Sequence, residues 1–282
     1  MNNEIAPDSR RFEFGSNWWE FLQNLDEARI LEAEASLRSM LGVSTLEGCT
    51  FLDAGSGSGL FSLAARRLGA RVHSFDYDTQ SVACTVELKR RYFAADDLWV
   101  VQQGSVLDRK YMQSLGEYDI VYSWGVLHHT GAMWVGIEYA LARVRQGGIL
   151  FIAIYNDQGW KSRVWWFVKL FYNCAPAFLQ KPYAFMVGGL VTTANVIKYS
   201  LKLRPMDAIR PMVGYKKQRG MNLWRDMVDW VGGFPFEYSS YDVLLTYLEA
   251  RGFDLKTGRR AGSLGCHEIV AVYGRPAQME SK

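Results

Sequence analysis

The sequence has little that would bind it to a charged polymer and little that would staple it. It carries 32 Lys and Arg against 29 Asp and Glu, a net charge of +3, with both signs mixed along the chain. Nucleic-acid binding by charge needs a basic stripe or patch, and no such tract is present, so no nucleic-acid partner is expected. Cysteine is sparse. Cys49, Cys84, Cys174 and Cys266 form no Cys-x-x-Cys pair. Lone cysteines in apolar stretches usually pack as small hydrophobes, so no disulfide framework is expected. The first residues, MNNEIAPDSRRFEF, contain no apolar signal core. A cytoplasmic, reducing setting is the expectation. There is no internal repeat and no low-complexity tract.

What is plentiful is apolar and aromatic. Hydrophobic residues make up 49% of the 282, with 10 Trp, 15 Tyr and 15 Phe. A chain of that length and composition can bury a sizeable core, as one large domain or one domain with an insertion. Residues 1–45 read as an N-terminal helical part, with Trp18 and Trp19 placed as a lid over a ligand. Within it, residues 26–41 put Ile30, Leu31, Leu37, Met40 and Leu41 on one helical face, and Gly42 stops the helix. From 46 to 155 short apolar strands alternate with helical segments. Gly147 and Gly148 read as a turn before the strand ILFIAIY. Five strands with helices between them predict a parallel, doubly wound sheet. Residues 237–282 add a helix and two strands, FDLKTGRR and HEIVAVYG, with no helix between them. Those two must pair antiparallel, closing a mostly parallel seven-stranded α/β sheet.

Residues 156–236 break the alternation. They hold five of the seven prolines and five of the ten tryptophans. They are expected to form a mainly helical insertion after the fifth strand, capping the carboxyl edge of the sheet.

The chemistry concentrates at strand ends. Residues 51–60 read FLDAGSGSGL, placing Asp53 at the end of the first strand and Gly55, Gly57 and Gly59 in the loop after it. Glycines there let backbone touch a ligand. Ligands of open parallel sheets bind outside the carboxyl strand ends. A dinucleotide pyrophosphate is usually met by G-x-G-x-x-G, whereas this loop is G-x-G-x-G. A carboxylate at Asp53 would repel a pyrophosphate and favour an ammonium or sulfonium, both of which S-adenosylmethionine carries. Asp76 ends the next strand, where an acid can bind ribose hydroxyls. QGSVLD follows the third strand, offering Ser105 or Asp108 to an adenine amino group and Val106 to its ring. The fourth strand ends in SWGVLHHTG.

Together D-A-G-S-G-S-G, Asp76, Q-G-S-V-L-D and Y-D-I-V-Y-S-W-G-V-L-H-H resemble the class I S-adenosylmethionine-dependent methyltransferases. The L-H-H is similar to small-molecule methylases of the quinone-biosynthesis type. The resemblance covers about residues 46–156 and 238–274. It implies a Rossmann-like methyltransferase fold with S-adenosylmethionine held by Asp53, Gly55, Gly57, Gly59, Asp76, Tyr77, Ser105, Val106 and Trp124. In many relatives an aspartate stands where this chain has Ser105. His129, or His128, is the candidate general base, since imidazole titrates near working pH. No metal site is expected, because adjacent histidines point apart and no further ligand is suitably spaced.

Tyr155, Asn156 and Arg219 are the candidate contacts to a small-molecule acceptor of apolar or aromatic character, with an Asn-Asp turn as the alternative reading of 156–157. The expected reaction is in-line methyl transfer, most simply to oxygen. Two rivals stay open: a nicotinamide-type dinucleotide oxidoreductase, and a non-catalytic S-adenosylmethionine-binding interaction protein. Tyr183–Ile197 is free of charge, yet its fifteen residues fall short of a membrane-crossing helix. For residues 164–203 three readings stand: a lid over an apolar acceptor, a homodimer face, or peripheral membrane contact with Lys198, Lys202 and Arg204 near the headgroups.

Overall fold

The computed structural model describes residues 12, 15–201, 223–263 and 265–274. Two helices come first, α1 (Gly15–Gln23) and α2 (Glu27–Leu41). Asp26 caps α2 by accepting the Arg29 N–H at 3.0 Å. Gly42 ends it in the left-handed conformation, with its N–H on the Arg38 carbonyl. The helix buries Ile30, Leu37, Met40 and Leu41, as its periodicity requires, but Leu31 is 49% exposed. Position 31 lies about 100° around the helix from position 30, too far to share its buried stripe.

The sheet then builds as β1 (Thr50–Ala54), α3 (Leu60–Arg67), β2 (Arg71–Asp76), α4 (Thr79–Phe93), β3 (Trp99–Gln103), α5 (Arg109–Ser114) and β4 (Tyr118–Trp124). A 3-10 turn (Leu127–His129), α6 (Met133–Leu141) and β5 (Val144–Tyr155) follow. Three helices of the insertion come next: α7 (Trp160–Cys174), α8 (Ala177–Leu201) and α9 (Leu223–Gly232). The fold closes with α10 (Tyr241–Glu249), β6 (Phe253–Arg259) and β7 (Cys266–Tyr273). The strand order is β3-β2-β1-β4-β5-β7-β6. β1 to β5 are parallel, while β7 runs antiparallel to both β5 and β6.

Period-two alternation sorts the core into two layers. Leu52, Val121 and Leu150 face α6 and α10, with Ile137 and Leu244. Their neighbours Phe51, Ile120 and Phe151 face α2, α3 and α4, with Leu37, Leu63 and Leu88. A third, smaller cluster forms inside the insertion, around Tyr172, Ala184, Val187 and Val231.

A further local expectation gives way. Gly147 and Gly148 lie inside β5 instead of in a turn before it, where the register against β4 shifts between Tyr118 and Ile120. The glycines accommodate that irregularity. Pro182 lies inside α8. At the sixth residue it lies beyond the first turn, so its missing N–H removes a bond that the helix would otherwise make to the Phe178 carbonyl. Arg219, Lys202 and Arg204 lie outside the described residues.

The contrast between the two faces of α2 is measurable. Leu37→Ala is expected to cost about 2–5 kcal/mol in urea unfolding, while Leu31→Ala stays within about 0.5 kcal/mol.

Candidate active site

The sheet winds outward in both directions from the β1–β4 junction, so loops leaving β1 and β4 part there and open a crevice. The crevice is lined by Gly55, Phe75, Asp76, Tyr77, Gly104, Ser105, Val106, Leu107, Val126 and Thr130. Of the nine residues expected to hold the cofactor, five line it: Gly55, Asp76, Tyr77, Ser105 and Val106.

The glycine loop is folded onto β2. The N–H groups of Gly55 and Ser56 both donate to the Phe75 carbonyl, at 2.9 and 3.0 Å. The Gly57 N–H donates to Asp76 Oδ2 at 2.9 Å, and the Asp78 N–H to Asp76 Oδ1 at 2.9 Å. Asp76 is thereby held at the strand end by main chain on both oxygens. Gly55 has φ +91°, and a Cβ there would stand 2.4 Å from Val126 Cγ1. Any side chain at that position would be strained and would displace the opposite wall of the crevice. Gly59 lies away from the lining. A Cβ on it would meet the Thr85 main chain at 3.0 Å, so its role is close packing of α3 on α4.

Asp53 is only 2% exposed. Ser62 donates to its Oδ2, Ser74 donates to Ser62 Oγ at 2.7 Å, and the Trp99 indole N–H donates to Ser74 Oγ at 2.8 Å. Burial pushes the Asp53 carboxyl up to about 7, against the Ser62 hydrogen bond, and the charge of Asp76 adds to the rise. Its carboxyl is turned into the protein beneath the loop. Nothing in the sequence pattern marked Ser62 and Ser74. Asp108 caps α5, accepting the Lys110 and Tyr111 N–H groups, so of the two polar candidates Ser105 is the one lining the crevice. The exposed Trp124 indole donates to Glu268 Oε1 at 3.0 Å, toward β7 and away from the lining. Trp18 of α1 covers the loop from outside: a Cβ on Gly57 would lie 3.2 Å from its indole. Trp19 is 48% exposed.

A second cluster gathers at the ends of β4 and β5. His129 Nδ1 lies 2.7 Å from the Pro235 carbonyl. A carbonyl only accepts, so Nδ1 carries the proton and Nε2 is the basic nitrogen. His128 Nδ1 accepts the Tyr155 N–H at 3.3 Å. Burial, then the neighbouring His129 and Lys169, push His128 well below its ordinary value, so it is neutral. Its ring lies 4.0 Å from that of Tyr155, which lies 5.1 Å from Phe236. Glu237 ties the loop down, its carboxylate accepting the Met133 N–H and its own N–H donating to the His128 carbonyl. The Asn156 amide donates to the carbonyls of Ala261 and Ser263, both at 3.3 Å, so it anchors the β6–β7 turn. Asp157 accepts the Gly159 N–H, the turn geometry anticipated as the alternative for this pair.

Sequence reasoning passed over Lys169. It is 2% exposed, donates to the Trp230 carbonyl, and stands 5.0 Å from the Phe236 ring and 5.9 Å from the Tyr155 ring. The available signal was a single cation inside the apolar run VWWFVKLFY.

A seven-stranded sheet in this order, with a glycine loop after β1 and an acid ending β2, is the class I methyltransferase fold. A family model described as a methyltransferase domain matches residues 19–181, more than half of the chain, and the chain belongs to that family. It is 27% identical over 166 residues to a ubiquinone biosynthesis O-methyltransferase of Methylocella silvestris, covering 53% of this chain and 63% of that protein. It is 41% identical over 69 residues to ribosomal protein L11 methyltransferase of Methylococcus capsulatus, covering 24% of each. The chain thus spans less than two thirds of the length of these curated relatives. Among solved structures, the S-adenosylmethionine complex of magnesium protoporphyrin IX methyltransferase from Synechocystis PCC 6803 superposes with a TM-score of 0.55. The two are 12% identical, and the match covers 96% of this chain and 100% of that one, a likeness of fold.

Lys169 gives the cluster a measurable pH dependence. Burial lowers its ammonium from 10.5 to about 7, with Asp229 pulling it back up. Between those values the unfolded chain binds a proton that the fold does not. The penalty is therefore full below pH 7, fades as pH rises from about 7 to 10.5, and is gone above that. The stability of Lys169→Met minus that of the parent should fall over that range by up to a few kcal/mol, read by thermal melts. The lost Trp230 hydrogen bond only offsets the curve.

Proposed function

We propose that this chain transfers a methyl group from S-adenosylmethionine to a hydroxyl of a small apolar or aromatic molecule. The observation that carries this is Asp76, fixed by two main-chain N–H groups in the crevice at the winding reversal. An acid held that way suits the ribose hydroxyls of an adenosine, with Val106 and Ser105 beside the base. The buried, partly protonated Asp53 supports the loop from below and need not touch the ligand. Membership of the methyltransferase family supports the same cofactor. The names of the ubiquinone-biosynthesis relatives support oxygen as the acceptor atom.

The cofactor supplies a sulfonium-activated methyl group. The chain's own work is alignment, exclusion of water and removal of the acceptor proton. Alignment for an in-line displacement can contribute on the order of 7–11 kcal/mol to lowering the barrier. His129 is the base in this reading, its ring oriented by Pro235 so that Nε2 receives the proton. His128 is bound into β5 by the Tyr155 N–H and serves as packing. Tyr155 and Phe236 then form the acceptor wall, and Asn156 shapes it from behind. α1 and α7 then close the site as lid and cap, with Trp18 over the loop and Lys169 of α7 over the aromatic wall.

Calorimetric titration tests the cofactor. S-adenosylhomocysteine should bind, and Asp76→Ala should weaken it by roughly 10–100-fold, the loss of hydrogen bonds to a charged group. Tight nicotinamide dinucleotide binding without S-adenosylhomocysteine binding would sink the reading. Transfer of labelled methyl to a panel of phenols, carboxylic acids and amines tests the acceptor. His129→Ala should lower kcat about 10²–10⁴-fold with phenols while leaving S-adenosylhomocysteine affinity unchanged. A variant with undiminished kcat removes His129 from the chemistry.

A further inference from the structure

Helix α7 is apolar on both sides: Tyr172, Trp165 and Val168 pack into the insertion's core, and large apolar side chains also face solvent. Its core-facing side carries Lys169 at 2% exposure and the buried Ser162, while Phe167 and Phe171 are 65% and 57% exposed. Trp160, Val164, Phe167 and Phe171 follow one another at spacings of four, three and four, a single stripe along the solvent face. The apolar surface continues onto α8, where Phe185 is 72% and Leu190 64% exposed. Of the twenty-one exposed large hydrophobic residues among those described, eleven lie between 160 and 201. An apolar surface that concentrated marks an interaction face.

The charges around it identify the partner. From Gln158 to Met206 the sequence contains no Asp or Glu. Lys161, Arg163, Lys181 and Lys198 are all exposed on the same two helices. We propose that the α7–α8 face docks on an anionic lipid surface, the phenylalanines entering the headgroup boundary and the cations meeting lipid phosphates. An interfacial helix pairs apolar side chains with Lys and Arg in this way. Among the described residues no helix is long and apolar enough to cross a membrane, so the face lies on the bilayer without spanning it. A two-fold pairing of this face with a second copy would bring the same cations against one another without a compensating carboxylate. The proposal stands independently of the methyl-transfer reading, since it uses none of the crevice residues.

The test is co-sedimentation of the full chain with vesicles of phosphatidylcholine alone and of phosphatidylcholine mixed with phosphatidylglycerol. Binding should favour the anionic vesicles and weaken with added salt. Phe167→Glu with Phe171→Glu, both at exposed positions, should reduce binding about tenfold or more with an unchanged melting temperature. Lys161→Glu with Arg163→Glu provides a second variant without apolar changes and should abolish the preference for anionic lipid. Equal absence of binding to both vesicle types overturns the proposal. So does light scattering that shows a dimer which the phenylalanine variant converts to monomer while vesicle binding is unaffected.

Discussion

The reversal of winding between β1 and β4 is the constraint on which the site depends. Right-handed crossovers carry the chain outward from β1 through β2 to β3, and then outward the other way from β4. At that one junction two loops leave the carboxyl ends without a helix crossing between them. The glycine loop and Asp76 stand on one side, and the His128–His129 turn and Tyr155 on the other. Neither group creates the crevice. Each occupies a place that the strand order has already opened.

Holding polar groups in that place has a cost that the structure meets in two different ways. A buried ion costs several kcal/mol unless it is bonded or neutralised. Asp53 receives a chain of donors that begins at the Trp99 indole and passes through Ser74 and Ser62. The chain lies wholly inside the core and fixes the direction of the carboxyl. Lys169 is served differently, by the carbonyl of Trp230 and the faces of two aromatic rings. Burial lowers its ammonium to about 7, while Asp229, the carbonyl and the ring faces favour the charged form.

The strand ends were legible in the sequence because strand, turn and next strand are local. The alternation located β1, β2 and β4, and it therefore placed Gly55, Asp76 and the histidines at one edge. What escaped was set by contacts between distant segments. Ser62 and Ser74 read as ordinary small polar residues until α3 and β2 bring them onto Asp53. Asn156 read as an acceptor contact, and only the β6–β7 turn shows where its amide goes. Trp124 pointed to the cofactor by its place after β4, but Glu268 on a strand far along the chain turns it outward. Leu31 failed for a simpler reason, because a helical face narrower than assumed excludes it. The helices of the insertion were visible as apolar runs. Which of their sides faces the protein was not, since a helix apolar nearly all round carries no periodic signal that tells one side from the other.

The two halves of the site also differ in how far apart their bonded residues lie in the chain. Gly57 and Asp76, which bind the loop to β2, are 19 residues apart. The bonds that shape the other half, His129 to Pro235 and Asn156 to Ala261, span 106 and 105 residues. Closing loops of that length is entropically costly and slow relative to local pairing. During synthesis the first half has its partners once β2 has formed, whereas the second must wait for the chain to return after the insertion. The half held by local bonds can assemble early, and the half held by distant ones is completed last.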